Sequence, residues 1–213
     1  MRMRDSDRRL RTTRTPRVIP LTEAPREAWL WVLRAGLSPE EANDVWGFRW
    51  APEQERVIVP VLPLGDAWVA RSVDPKRKPK YISSNNAKGR FWTGGNVKAD
   101  VTIVVEDILS AIACVRAGFR AVAAMGTATD QIELVAEACA TGHVIGWFDP
   151  DRAGEAAALR FKKACRLWPV QYGRIRSERD PKLHTQQEIR DFVHIVKGDS
   201  SAGPEPTTHL QAP

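Results

Sequence analysis

The chain has 213 residues, 43% of them apolar, and 32 Lys and Arg against 26 Asp and Glu give it a formal net charge of +6. This is enough for one domain or two small ones; no run approaches the roughly 20 apolar residues of a membrane span, and the N-terminus has no secretory apolar core. Cys114, Cys139 and Cys165 stand far apart in apolar, helix-like stretches, which excludes a CxxC zinc site, argues against a disulfide framework, and suits buried thiols in a reducing cytoplasm.

Residues 1–17 hold seven arginines against Asp5 and Asp7, a net of +5 with almost no apolar residue, and predict a disordered basic tail. A first α+β unit is expected over 18–99. Its stretch 28–37, AWLWVLRAGL, has helical spacing with Gly36 as C-cap. Ser38 then opens a second helix, with Pro39 at its first position and Glu40 and Glu41 in its first turn. RVIVPV (56–61) and AWVARSV (67–73) read as strands joined around Gly65-Asp66 in a hairpin. Residues 71–98 carry eight basic side chains against Asp74 alone, a net of +7, and 74–98 have the composition of a basic loop rich in Gly and Asn.

From residue 101 short β-runs alternate with helical patterns. VTIVV (101–105), AVAAM (121–125), HVIGWF (143–148) and VQYGRI (170–175) are the expected strands. The helical stretches that follow them are ILSAIACVRAG, ending at Gly118, TDQIELVAEACATG, AGEAAALRFKKACRLW and QQEIRDFVHIV. Four βα units in series predict an α/β fold, a four-stranded parallel sheet with helices on both faces, over 100–197. The polar stretch 198–213 predicts a second disordered tail.

Ligands of open parallel sheets sit beyond the carboxyl ends of the strands. Here those ends run into Glu106 and Asp107, into Gly126-Thr127, into Asp149-Pro150-Asp151, and, after a short interval, into Asp180. An extended Asp-Pro-Asp points both acids to one side. Several carboxylates without a histidine cluster suit a hard cation such as Mg²⁺. A lone DxD is more often a surface turn or a cap, and Asp151 is placed to cap a helix starting near Arg152. Acids at corresponding strand ends weigh against that reading here.

VVED at 104–107, GT at 126–127 and DPDRAG at 149–154 resemble the three signatures of the Toprim domain, shared by DNA primases, topoisomerases and certain nucleases. Upstream, RVIVPV, Arg71 and KPKYISS (78–84) resemble the N-terminal subdomain of the primase RNA-polymerase core, so that the likeness covers roughly residues 25–195. It implies that Glu106 is the Toprim glutamate, a general base or organiser of the metal site, and that Asp149 and Asp151 are its metal-binding pair. Asp180, in RDPK, would be a further acid for the second metal. Two Mg²⁺ ions, or Mn²⁺ in their place, are implied, and no zinc. Arg56, Arg71 and Lys80 match basic positions that would contact nucleotide or DNA, as would Gly126 and Thr127; Lys78, Lys88 and Arg90, by the charge of the basic segment they share, would offset phosphate charge beside the acidic edge. Two positions depart from the family: Asp107 follows the glutamate where glycine is usual, and Ser110 stands where another acid is usual. Asp107 offers a charge from a shifted position.

Six of the eight tryptophans, Trp29, Trp31, Trp46, Trp50, Trp68 and Trp92, fall in the first hundred residues. Core packing accounts best for most of them; Trp92, in GRFWTGG, is the candidate for stacking on unpaired bases. The isolated His143, His184 and His194 are not assigned as ligands. The two basic blocks suit a polyanionic partner, though charge alone fits a solvated tail and loop equally well.

The resemblance implies a compact, phage-encoded DNA primase of the cytoplasm. Its partners would be single-stranded DNA template, NTPs, the RNA primer it makes and a separate replicative helicase, without any membrane. Two other functions use the same residues: a Toprim nuclease, and a catalytically degenerate Toprim protein that binds DNA as a replication accessory.

Overall fold

The computed structural model describes residues 16–63, 65–125, 134, 138 and 142–199. The expected basic tail over 1–17 falls almost wholly outside them, as do the helix expected after the second parallel strand, Cys139, Gly126, Thr127 and residues 200–213. The chain divides into two compact units between Phe91 and Trp92.

The first unit is built on a five-stranded antiparallel meander of strands β1 (Ile19–Pro20), β2 (Arg49–Ala51), β3 (Arg56–Pro60), β4 (Trp68–Ser72) and β5 (Tyr81–Ser83), adjacent in that order. The expected hairpin is β3–β4, in the register Val57↔Arg71 and Pro60↔Trp68. β4 alternates buried and half-exposed positions, as a strand with one covered face must. Trp68 and Ala70 therefore join Ala51 and Ile58 in the core, with Val18 and Ile82 packed against them. Two helices complete the unit, α1 (Arg26–Leu33) and α2 (Pro39–Asp44). Gly36 ends α1 at φ 72°, where the Leu37 N–H closes onto Val32 O at 3.1 Å. The Ser38 side chain accepts the Glu41 N–H at 3.0 Å at the head of α2. Most of the tryptophans are structural here: Trp29 donates to Leu21 O at 2.8 Å, Trp31 stacks on Phe48 with centroids 6.3 Å apart, and Trp50 is buried.

The second unit is a five-stranded sheet with the order β10-β9-β7-β8-β6. Four strands are parallel, as expected: β7 (Val101–Val105), β8 (Arg120–Ala123), β9 (His143–Gly146) and β10 (Gln171–Arg174). The fifth, β6 (Trp92–Gly94), pairs antiparallel with β8 at the edge. The sequence there reads as loop because three residues are too short for a recognisable alternation. β7 is buried along its whole length, the burial its continuous apolar run predicts for a central strand. The described helices are α3 (Ile108–Arg116), α4 (Arg152–Cys165) and α5 (Gln186–Asp199). Cys114 and Cys165 are free and buried, and burial holds the Cys114 thiol well above its ordinary range. No described helix is long and apolar enough to cross a membrane.

Candidate functional site

β7 and β9 pair in parallel with Thr102 opposite Val144 and Val104 opposite Gly146, so their carboxyl ends are level. The ladder continues one step further, with the Trp147 N–H donating to Val104 O at 2.8 Å. This register brings residues 106–107 and 149–151 together at one end of the sheet. Glu106 Oε1 accepts the backbone N–H of Asp149 at 3.0 Å. Asp180 arrives from the segment after β10, at the head of the short 3-10 turn Pro181–Leu183.

Carboxylate oxygens of Asp107, Asp149 and Asp180 all lie within 4.8 Å of one another. Burial, and then the negative charges of Glu106, Asp180 and Asp107, push the Asp149 carboxyl up to about 7, with the Lys182 ammonium opposing the rise. Glu106 is raised as well, first by burial and further by Asp151, Asp107 and Asp180, against the lowering effect of the Asp149 N–H. The three carboxylates form an all-oxygen donor set, which fits Mg²⁺ or Mn²⁺ and offers no soft or imidazole ligand for zinc.

Asp107 and Asp151 each head a helix. Asp151 Oδ1 accepts the Gly154 N–H at 2.8 Å and caps α4, so the capping role foreseen for it is realised, and it stands outside the three-acid group. Asp107 caps α3 through Oδ1, which accepts from the N–H groups of Leu109 (3.0 Å) and Ser110 (3.1 Å). Its Oδ2 accepts from Ser110 Oγ at 2.8 Å. The two departures from the family pattern are therefore bonded to each other. The α4 terminus approaches closely enough that residue 154 has to be glycine: a Cβ there would lie 2.1 Å from Asp149 O and 2.7 Å from Glu106 Oε1.

The sequence reading missed Lys182. Its ammonium donates to Asp107 Oδ2 at 2.8 Å and to Asp180 Oδ2 at 2.5 Å. Burial works against its charge, but the two aspartates more than offset this and leave it more basic than an ordinary lysine. Its proximity to Asp180 in RDPK was the available signal, yet sequence could not show Asp107 arriving from 75 residues away. His184 closes the same segment as a packing residue: its ring lies 5.4 Å from Trp147 and 5.2 Å from Phe192, and its Nε2 shares a 2.8 Å hydrogen bond with Ser177 Oγ.

In the first unit, Arg71 and Tyr81 face each other across β4 and β5, with the guanidinium carbon 4.8 Å from the ring centroid. Lys80 Nζ lies 5.9 Å from the same ring. Tyr81 is 53% exposed, and Lys78, Lys80, Lys88 and Arg90 are exposed, so this unit presents an aromatic face among cations. Tyr81 was not singled out in the sequence, although it ends the PKY triplet.

Two residues expected to touch nucleic acid sit elsewhere. Arg56 is 5% exposed and donates to Pro79 O (2.7 Å) and Lys80 O (3.1 Å), so its guanidinium holds the loop before β5 in place. Trp92 is 1% exposed, and its ring occupies the space where a side chain at Gly94 would project. The stacking expectation for Trp92 is therefore corrected: pairing β6 with β8 turns the indole into the core.

Residues 100–175 match the family model of the Toprim domain. A DNA primase of Legionella pneumophila is 37% identical over 101 residues, a match covering 42% of this chain and 18% of that protein. Among solved structures, the zinc-binding and RNA-polymerase domains of the Aquifex aeolicus primase superpose with a TM-score of 0.65 at 21% identity, covering 82% of this chain and 57% of that one. The DnaG primase catalytic domain bound to ssDNA superposes with a TM-score of 0.63 at 19% identity, over 83% of this chain and 73% of that one. The chain thus spans a minor part of its curated relative and rather more than half of the first of these structures.

Proposed function

We propose, on the premise that the chain carries a Toprim domain within the fold of the primase catalytic cores, that it is a DNA primase. It would join ribonucleotides into short RNA primers on a single-stranded DNA template. The observation that carries this reading is the convergence of Asp107, Asp149 and Asp180 at the carboxyl end of the parallel sheet, with Glu106 bonded to the Asp149 backbone.

When bound at these acids, Mg²⁺ would supply Lewis acidity toward the α-phosphate under attack and positive charge for the departing pyrophosphate. The chain's own residues prepare the place. Asp149 would ligate as the carboxylate, giving up the proton that burial and its acidic neighbours favour. Glu106 holds the Asp149 backbone in position through its N–H, and Gly154 leaves room for both. The Arg71–Tyr81 pair and the exposed lysines would hold the template, the cations on phosphate and the ring against an unpaired base. Such an enzyme works in the cytoplasm, that of a bacterial host where the gene is a phage's, with a replicative helicase as its expected partner.

A Toprim nuclease would use the same acids. The likeness to primase cores extends over 82–83% of the chain, well beyond the 100–175 Toprim match and into the first unit, and this favours the polymerase. One assay tests it. Labelled NTPs, Mg²⁺ and a single-stranded template are scored for new oligonucleotides, cleaved template or neither. New oligonucleotides are expected from the wild type and none from Asp149→Ala; cleaved template indicates the nuclease, and neither product the binding-only protein.

A further inference from the structure

We infer that the Lys182 ammonium is a built-in cation that takes the place of one of the two divalent ions, so that the acidic cluster holds a single one, on its Asp149 side. The inference rests on the reading that this cluster binds a divalent metal. An ionised carboxylate offers about four acceptor directions. All four of Asp107 are in use, by the N–H groups of Leu109 and Ser110, by Ser110 Oγ and by Lys182 Nζ. Asp107 could ligate a metal only by giving up a helix cap or its ion pair.

Lys182 also bonds Asp180 at 2.5 Å, so its ammonium bridges two of the three clustered acids. A Mg²⁺ ion bridging the same two oxygens would need both at about 2.0–2.1 Å. The ammonium occupies that position already. It is held there by the 3-10 turn Pro181–Leu183, and the lysine side chain is only 22% exposed. Asp149, by contrast, makes no ion pair among the described residues, and its carboxyl is the group left needing a cation. The charge of the cluster would therefore be divided: a tethered +1 for Asp107 and Asp180, and a divalent ion for Asp149.

Stoichiometry tests this. Mn²⁺ binding to the full chain is counted by the loss of the free-ion EPR signal, for the wild type, Lys182→Met and Lys182→Arg, with circular dichroism confirming the fold. The expected result is one ion per chain for the wild type and Lys182→Arg. Lys182→Met should take up two, the second at least tenfold more tightly than any second ion on the wild type. Two ions of similar affinity on the wild type overturn the inference, whatever the stability of the variants. One ion on a folded Lys182→Met overturns it too. Absence of Mn²⁺ binding in every chain overturns the metal reading itself, a result distinct from either.

Discussion

Glu106 and Asp149 are 43 positions apart in sequence, yet the carboxylate of one accepts the backbone N–H of the other at 3.0 Å. That bond fixes the turn after β9 to the end of β7, and it also sets a second negative group beside the Asp149 carboxyl. The site is pre-organised at an electrostatic cost, which is the usual state of a cluster that works with a cation bound.

The cost predicts a pH effect on stability in the metal-free protein. Asp149 has a folded-state pKa of about 7 against an ordinary 3.8. Between those values the folded chain binds more protons than the unfolded chain, so unfolding free energy falls as pH rises through about 4 to 7 and is lowest above it. Asp149→Asn removes this term. In EDTA at pH 8 the variant should melt a few degrees above the wild type, at about 2–4 °C for each kcal/mol in a chain of this size, and the gap should close near pH 4. Thermal melts at both pH values check this. A variant melting below the wild type at pH 8 would refute the electrostatic account.

Gly154 should tolerate no side chain. Its Cβ would fall 2.1 Å from a backbone oxygen, so the α4 terminus and the Asp149 turn must separate. Gly154→Ala should destabilise the second unit by about 1–3 kcal/mol and weaken Mn²⁺ binding by at least tenfold, read by urea midpoint and metal titration. Lys163→Ala, at an exposed position of the same helix, serves as the control that moves neither.

The parallel sheet was legible because VTIVV, HVIGWF and their neighbours carry strand signals strong enough to survive without context, and the acids follow directly at the strand ends. The ligand grouping was less so. Asp151 and Asp107 are both plausible ligands by position, and only the two helix starts and the arrival of Lys182 separate their roles. Trp92 misled because the composition around it is basic and polar, and Arg56 because the resemblance set it among the phosphate contacts; the burial of each depends on strand pairings, with β8 and β4, that lie 28–31 and 12–16 residues away and leave no local pattern.

Arg71 and Arg56 should behave differently on single-stranded DNA. Arg71→Ala removes a cation held over an exposed ring, and it should reduce affinity and lower the slope of log K against log salt by about 0.7. Tyr81→Ala should cost about 1–3 kcal/mol of binding with the slope unchanged. Arg56→Ala instead strips the Pro79 and Lys80 carbonyls of their donors, and should lower the melting temperature first. Fluorescence anisotropy over a salt series, beside thermal melts of each variant, distinguishes contact from support. An Arg56→Ala variant of native stability that loses the salt slope would restore it to the binding face.

Trp92 supplies the sharpest contrast between the sequence reading and the fold. An indole at the edge of a basic loop would stack on bases; an indole 1% exposed and packed over Gly94 fills the core. Trp92→Ala should therefore cost about 3–5 kcal/mol of stability through the cavity it leaves. At temperatures where the variant remains folded, its affinity for single-stranded DNA should match the wild type. Urea unfolding and anisotropy on the same preparation decide it. Weakened DNA binding at full stability would mean that β6 detaches from β8 and offers its tryptophan to the template, whereas lost stability at full affinity leaves Trp92 in the core and base stacking to Tyr81.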